Sequence, residues 1–504
     1  MPVPVGSRFV RDAHALTALC LAALGGGCQY QTIREAQLAH RAAEPRLAQA
    51  ELASLASSGL KGPHEILGWL ELGSADHALG RFDASSRALL RAEAGFDEQD
   101  ARPRTSLTEE LFASATSPLS VAYRGSPTDR IMAPTLRAMN AMMLGDDEQA
   151  RLAFNEAAFR QEASVVDRIS SIDIARQANG VDLARSVEAG MSDPAVEAVL
   201  ASVRAFEPYR GFTNPFAEML HAVYRLAAPR DDADRERGVA LLRSVVGTTD
   251  NAHARDLLIE TQEPSGDRAP SVHIFFASGF CPIREEIRID LPLVLLNDTI
   301  DYVGLAFPRL AFDDRAVPYL DAETPDASVR TETLADMDRL MAVEYREEFP
   351  TLLTRAILAA GAKIAASYGI NEATRDDETL NAAARIAAGL YLYSQNRADT
   401  RGWATLPKTY SYARLPAPRD GEILLGTPDG HSAFVEVASD ADSLVFVRSM
   451  RPGVGFQVRV AALGERGEEE MPRSGIGTGP EVFSPEFSST EEASRARKEV
   501  GGAG

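Results

Sequence analysis

A thiol nucleophile with a histidine base is one chemistry that the residue types of this chain allow. Cys281 could act as the nucleophile if the fold brought His273 or His431 close enough to take its proton. Nothing in the spacing joins either histidine to the cysteine, and a buried structural cysteine after a strand explains the same sequence. We therefore expect Cys281 to be a structural residue.

The histidines and acidic residues do not follow the spacing of dedicated metal sites. The eight histidines show no His-x3-His pattern, which zinc sites commonly use. Three acidic runs lack the alternating oxygen ligands and the turn glycine of a calcium loop, and two glycine-rich runs do not join a strand to a helix as phosphate loops do. These runs are Asp313–Asp314, Asp376–Glu378, Asp440–Asp442, Gly453–Gly455 and Gly475–Gly479. We expect no metal ion and no other cofactor.

The most informative polar group consists of Asp399, Arg401 and Trp403, which follow a predicted helix that ends near Asn396. A planar guanidinium can form a bidentate ion pair with a carboxylate and can also stack on an aromatic ring. Two roles are open for this group. It is a packing lock that fixes two predicted helices onto the β-rich part, or it is an interface with a partner, and we favour the packing lock.

Cys28 ends a segment that is typical of bacterial lipoprotein signal peptides. Arg8 and Arg11 supply positive charge, and the apolar core that follows has ten residues, whereas a membrane span needs about 20. Three glycines precede the cysteine, with Gly25 where the cleavage box usually has leucine. We expect residues 1–27 to be removed and Cys28 to be lipidated. Ordinary secretion and an uncleaved apolar segment are the alternatives.

The residue after the cysteine, the cysteine count and the charge bear on location and partners. In Gram-negative bacteria Asp at this place retains a lipoprotein in the inner membrane, so Gln29 indicates a lipid anchor in the outer membrane that faces the periplasm. Cys281 would be the one cysteine left free, which excludes an intrachain disulfide. The formal net charge of −21 opposes binding to phosphate backbones, so we expect no nucleic-acid partner.

Residues 28–262 have the pattern of helical hairpins. Pro45 is expected in the first turn of one helix, and Asn214 is expected to cap another that starts at Pro215. Two segments share a glycine, a large residue nine positions later and an alanine three positions after that, which resembles the tetratricopeptide repeat. The residues are Gly80, Leu89 and Ala92, then Gly145, Phe154 and Ala157, with Trp69–Gly73 opening the first repeat and Gly238, Leu242 and Val245 forming a weaker third. Plain helical hairpins are the alternative.

A breaker-rich linker at 263–270 separates these helices from a region in which apolar and polar residues alternate. We predict a multidomain α+β fold, in which the helical array precedes an α+β domain over 271–462 and a disordered polar tail over 463–504. Helices are predicted at 332–368 and 377–396. Strands are predicted at 272–276, 286–291, 304–310, 316–320, 422–425, 433–437, 444–448 and 455–460, the last four forming a small antiparallel unit.

Three stretches of the sequence resemble a known family: Asn214–Ala217, Phe275–Leu291 and Ala398–Pro407. They are similar to an uncharacterised family of tetratricopeptide-containing bacterial outer-membrane lipoproteins, which are often encoded beside a lipoprotein that activates penicillin-binding proteins. The resemblance spans most of residues 60–460. The family has no agreed activity or catalytic residues, so it implies only a cellular location and an architecture. They are those of an envelope protein in an assembly at the outer membrane.

The sequence as a whole favours a lipid-anchored periplasmic scaffold or adaptor that binds a protein partner in the cell envelope and catalyses no reaction. This hypothesis depends on the absence of a recognisable nucleophile, metal or cofactor motif. One alternative is an envelope hydrolase with its site in the α+β domain. Another is a carbohydrate- or peptidoglycan-binding module built on the last four strands.

Overall fold

The computed structural model describes residues 29–101, 119, 121–177, 188, 190–209, 213–262, 269–291, 303–373 and 397–464. Several of the sequence predictions lie outside these residues. They are the signal peptide with Cys28, the helix at 377–396, most of the linker 263–270 and of the tail 463–504, Asp376–Glu378 and Gly475–Gly479.

Helices make up most of the described first half, and sheets follow, so the α+β class predicted from the sequence is confirmed. Short turns join three pairs of these helices into antiparallel hairpins, α3–α4, α5–α6 and α8–α9. The helices are α1 (29–41), α2 (Pro45–Ser57), α3 (Glu65–Ala78), α4 (Phe82–Ala101), α5 (Pro127–Leu144), α6 (Asp147–Gln177), α7 (Pro194–Arg204), α8 (Pro215–Ala227), α9 (Asp232–Thr248), α10 (Ala252–Glu260) and α11 (Met337–Ala373).

Local signals in the sequence set several helix ends. Pro45 lies in the first turn of α2, as expected, and the Asn214 side chain caps α8 by accepting hydrogen bonds from the next two free N–H groups. Gly80 and Gly145 have positive φ angles of 71° and 70° in the turns of two hairpins, which favours glycine. Gly238 differs from them, because it lies inside α9, where it lets that helix approach α8 closely.

The strands form three sheets. The largest has the order β11-β10-β1-β7-β6, in which β1 and β10 are parallel and the other pairs antiparallel. The others are the pair β2-β3 and a four-stranded sheet in the order β5-β4-β8-β9. The strands are β1 (Ser271–Ser278), β2 (Ile283–Leu291), β3 (Val303–Ala311), β4 (Asp321–Glu323), β5 (Ser328–Arg330), β6 (Glu332–Asp336), β7 (Thr409–Pro416), β8 (Glu422–Gly426), β9 (Ser432–Glu436), β10 (Ser443–Ser449) and β11 (Gln457–Ala462).

Long-range pairing corrects three of the predictions. The helix predicted from residue 332 begins at Met337, because the preceding residues pair with β7 as strand β6. The strand predicted at 316–320 is irregular, while β4, β5 and β7 were not predicted. The last four strands do not form a unit of their own, since β8 and β9 belong to the sheet that contains β4, while β10 and β11 belong to the sheet that contains β1.

The helical hairpins and the five-stranded sheet contribute to one continuous hydrophobic cluster. Leu89 of α4 and Met139 of α5 belong to it, together with Phe275 of β1, Tyr412 of β7 and Trp403 from the segment before β7. A second cluster joins α7 and α11 to β2 and β3, and a third lies between the five-stranded and four-stranded sheets. The helices therefore pack directly on the sheet that positions residues 397–408.

Candidate functional site

Trp403 lies at the junction between the helices and the sheet, in the irregular segment 397–408. Its indole is fully buried, and Nε1 donates a hydrogen bond of 2.7 Å to the Ser74 hydroxyl of α3. The next two residues also bind α3, because the Ala404 N–H and the Thr405 hydroxyl donate to the Glu71 carboxylate at 2.8 and 2.5 Å. Three hydrogen bonds thus join this segment to one helix.

Arg401 and Asp399 form the bidentate ion pair that their spacing suggested. Arg401 Nε lies 2.8 Å from Asp399 Oδ1, and NH2 lies 2.7 Å from Oδ2. Burial alone would raise the pKa of Asp399, but the hydrogen bonds and charge of Arg401 outweigh it and keep that pKa below its ordinary value. Arg401 NH1 also donates to the carbonyls of Pro63 and Val121 at 3.0 and 2.7 Å.

Two details of the predicted packing lock need correction. The aromatic ring near the Arg401 guanidinium is Tyr123, at 5.6 Å to its centroid, while Trp403 binds Ser74 instead. The partners of both residues lie in the N-terminal helical part, whereas the sequence analysis placed them against the helices that precede them in the chain. The burial of Arg401 and Trp403 supports the packing lock over the interface, and this role stays a prediction.

Glu71 is the residue of this junction that the sequence analysis missed. It is fully buried, and Gln37 Nε2 donates to it at 2.7 Å in addition to the two donors of the 397–408 segment. Burial raises the pKa of Glu71 to about 7, although hydrogen bonds from Thr405, Gln37 and Ala404 oppose the shift. The only indication of this buried carboxylate in the sequence was that Glu71 is a single acidic residue in an apolar helix turn.

Cys281 lies beneath the same junction as a buried free thiol, as expected. Its Sγ donates to the Trp403 carbonyl at 3.4 Å, and burial raises its pKa to about 12, so it is protonated at neutral pH. His273 faces the Tyr412 hydroxyl at 2.8 Å, and His431 pairs with Asp429. The six strand residues from 273 to 278 span about 16 Å, so the structure does not place His273 beside the thiol.

The acidic runs within the described residues take part in structural contacts. Asp313 pairs with Arg315 and Arg41, and hydrogen bonds from Arg315 help to lower its pKa to about 2. Asp442 accepts a hydrogen bond of 2.7 Å from the Ser271 N–H. Across the part of the chain that the structure describes, no group of three or more His, Cys, Asp or Glu side chains could hold a metal ion.

A second group of polar residues, which the sequence analysis did not single out, lines a cavity of about 370 Å³ between α6, α8 and α9. We call this cavity the arginine cleft. Its lining residues are Glu148, Arg151, Leu152, Asn155, Arg225, Arg230, Asp231, Asp234 and Arg237. On α6 and α9 they recur at intervals of three and four residues, so each helix presents one face to the cleft.

Two arginines at the floor of the cleft share a single buried carboxylate. The side chains of Arg151 and Arg225 are 7% and 4% exposed, and each forms an ion pair with Asp234. Arg225 also donates to His221 Nε2 at 3.0 Å and to Asn155 Oδ1 at 2.8 Å. Burial and then the nearby arginine charges lower the pKa of His221 to about 3, so it stays neutral and accepts that bond.

The rim of the cleft combines charge with exposed apolar surface. Leu152 and Phe159 are 52% and 62% exposed and lie seven residues apart on α6, which places them on one face of that helix. Arg230 pairs with Asp147 at 3.1 Å. Arg237 is exposed and has no ion-pair partner among the residues that the structure describes. A ligand in the cleft would meet the free Arg237 guanidinium and the exposed Leu152 side chain.

Comparisons with known protein families, curated proteins and solved structures gave no match for this chain. Within the described residues, none of the helices is long and apolar enough to span a lipid bilayer.

Proposed function

We propose that this chain is a lipid-anchored scaffold or adaptor of the bacterial cell envelope that binds a protein partner at the arginine cleft. The anchor is Cys28, in the outer membrane and facing the periplasm, as the lipoprotein-like segment of the sequence suggests. The observation that carries the proposal is that the free Arg237 guanidinium and the exposed Leu152 side chain line one cleft, with Phe159 exposed further along the same face of α6. Arginine and aromatic side chains are the residues most enriched at protein interfaces.

The helical hairpins supply the scaffold in this proposal, and we propose that they form a tetratricopeptide-like array. Gly80 and Gly145 occupy equivalent turns, and the large residues that follow, Leu89 and Phe154, are both fully buried. Small residues allow two helices to approach closely, and stacked hairpins then share one core. The hairpin α8–α9 forms one wall of the arginine cleft, and α6 forms the other.

The structure offers a second argument for binding at the cleft. Asp234 at its floor pairs with Arg151 and Arg225, and Asp147 pairs with Arg151 and Arg230. Among the described residues, Arg237 is therefore the lining arginine left to bind an incoming carboxylate. Arginine forms bidentate hydrogen bonds with carboxylates. The proposed partner therefore presents an acidic side chain next to an apolar one, and no reaction is catalysed.

A photo-crosslinking experiment in living cells tests the partner-binding proposal. A photoreactive residue in place of Phe159 should give one defined adduct, and Arg237→Glu should abolish it because the charge at the rim is reversed. Arg243→Glu is the matched control, since this arginine is exposed on the same helix outside the cleft and should leave the adduct unchanged. No adduct at position 159, or equal loss with both variants, would contradict the proposal.

The lipid anchor has its own test. Incorporation of labelled palmitate should be lost in Cys28→Ser and retained in Cys20→Ser, because only the cysteine after the cleavage box accepts the lipid. Absence of label in the wild-type chain would contradict the anchor and leave the partner-binding result unaffected.

A further inference from the structure

The lipid anchor of the proposed function leads to an inference about how the folded protein sits on the membrane. Helix α1 begins at residue 29, directly after Cys28 in the sequence. Consecutive Cα atoms are about 3.8 Å apart, and two residues span at most about 7 Å. The Cα atom of Tyr30 therefore lies within about 7 Å of the Cα atom that would carry the lipid.

Helix α1 is firmly attached to the body of the protein. Ile33 and Ala36 are fully buried. The hydroxyls of Tyr30 and Thr400 share a hydrogen bond of 2.8 Å, and Gln37 Nε2 donates to the Gly402 carbonyl at 2.9 Å. At the other end of the helix, Arg41 NH1 donates to the carbonyls of Cys281 and Ala404 at 2.9 and 2.8 Å. These contacts leave no free segment of chain between the first turn of α1 and the core.

The length of the connection from Cys28 to Tyr30 can be compared with the thickness of the headgroup layer. A bilayer has a hydrocarbon core of about 30 Å and measures about 40–45 Å with its headgroups, so each headgroup layer is about 5–8 Å thick. The short connection from Cys28 to Tyr30 is no longer than this layer. A lipid chain inserted in the core would hold the start of α1 at the level of the headgroups.

We propose that the folded body lies directly on the outer-membrane headgroups, through a surface that we call the membrane face. It consists of the exposed parts of Tyr30, Gln31, Arg34, Glu35, Lys61 and Thr400, with two cationic side chains and one carboxylate. The Tyr30 ring stacks on His64 at 5.1 Å between centroids, which brings the short helix after Lys61 to the same place. The occupant of this face is the phospholipid surface, because tyrosine favours the membrane interface and Arg and Lys attract lipid phosphates.

This inference rests on the proposed lipid anchor, and the experiment separates the two. The full acylated chain carrying Gln31→Cys is labelled there with a fluorophore and reconstituted into vesicles that contain headgroup spin-labelled phospholipid. Labelling is specific, because Cys28 carries the lipid and the Cys281 thiol is fully buried. We expect strong quenching of the fluorophore, well above that of a non-acylated Cys28→Ser chain that lacks residues 1–27, and with them Cys20, mixed with the same vesicles.

An insertion between Cys28 and α1 tests whether the membrane face binds the headgroups by itself. Ten Gly/Ser residues placed between Cys28 and Gln29 add an average reach of about 16–19 Å, which exceeds the headgroup layer. Quenching at residue 31 should then persist, because the membrane face itself binds the headgroups, whereas Arg34→Glu with Lys61→Glu in the inserted chain should lower it to the level of the non-acylated chain. The same insertion after Gly464 is the control and should leave quenching unchanged. Palmitate incorporation is measured on every sample. Acylated protein without quenching, or quenching that the insertion alone abolishes, overturns the membrane face alone, whereas absence of palmitate overturns the anchor and the membrane face together.

Discussion

Trp403 donates a hydrogen bond of 2.7 Å to Ser74, a residue that precedes it by 329 positions in the chain. The indole is fully buried, and the same helix also receives the bonds of Ala404 and Thr405 through Glu71. The segment before β7 is therefore a point of attachment between the helical hairpins and the sheet. Changes to its residues should affect the stability of the whole chain.

Replacing Trp403 with alanine should lower the free energy of unfolding of the full chain by about 3–5 kcal/mol, as truncations of buried aromatic residues do. Denaturant unfolding followed by circular dichroism measures the change. Phe159→Ala is the matched control, since this aromatic residue is exposed and its loss should cost less than about 0.5 kcal/mol. A loss below about 1 kcal/mol for Trp403→Ala would exclude the packing lock and favour an interface.

Arg401→Lys should also destabilise the chain, although it conserves the charge. An ammonium group cannot reproduce the planar fork that binds Asp399, nor reach both carbonyls of the helical part, so we expect a loss of about 1.5–3 kcal/mol. Arg397→Lys serves as the control, because Arg397 is exposed in the same segment. Equal unfolding midpoints for the two variants would show that the fork contributes nothing to stability.

The sequence predicted those parts of the structure that neighbouring residues determine. Pro45 and Asn214 mark helix starts through their own backbone and side-chain chemistry, so one residue and its neighbours suffice. Glu332–Asp336 shows the limit of this approach. Its composition suits a helix, but pairing with β7, more than 70 residues away, makes it a strand.

In the candidate sites too, some features depend on neighbouring residues and others depend on the fold. The ion pair between Asp399 and Arg401 was predictable from their spacing of two residues. The environment of this ion pair could not be predicted, because Tyr123 and Pro63 come from distant parts of the chain. The arginine cleft was missed since its residues lie on three helices, and only the fold brings Arg225 to Arg151 through their common partner Asp234.

Glu71 should make stability depend on pH. Its pKa is raised to about 7 in the folded chain, from an ordinary value of 4.5. The folded state then holds the proton more tightly than the unfolded state. The resulting stabilisation is complete below about pH 4.5 and is lost as the pH rises through about 7, a change of about 3 kcal/mol.

Glu71→Gln isolates this effect, because an uncharged amide mimics the protonated carboxyl. Its carbonyl can accept the bonds from Gln37 and Ala404, and its amide can donate to the Thr405 hydroxyl. The variant should match the wild type near pH 4.5 and exceed its free energy of unfolding at pH 8. Parallel stability curves for the two proteins would contradict a carboxyl that titrates near neutrality.

The final prediction concerns the boundary at residues 263–270, which the sequence marks as a linker. A specific protease site placed there should be cut without separating the two pieces, because Leu89 and Met139 on one side and Phe275 and Trp403 on the other belong to one hydrophobic cluster. Gel filtration after the cut should give a single peak that contains both pieces. The same cut in a chain carrying Trp403→Ala should weaken the association, while Phe159→Ala should leave it intact. Two separate folded peaks from the wild-type chain would instead establish independent domains and show that the shared cluster contributes little to their association.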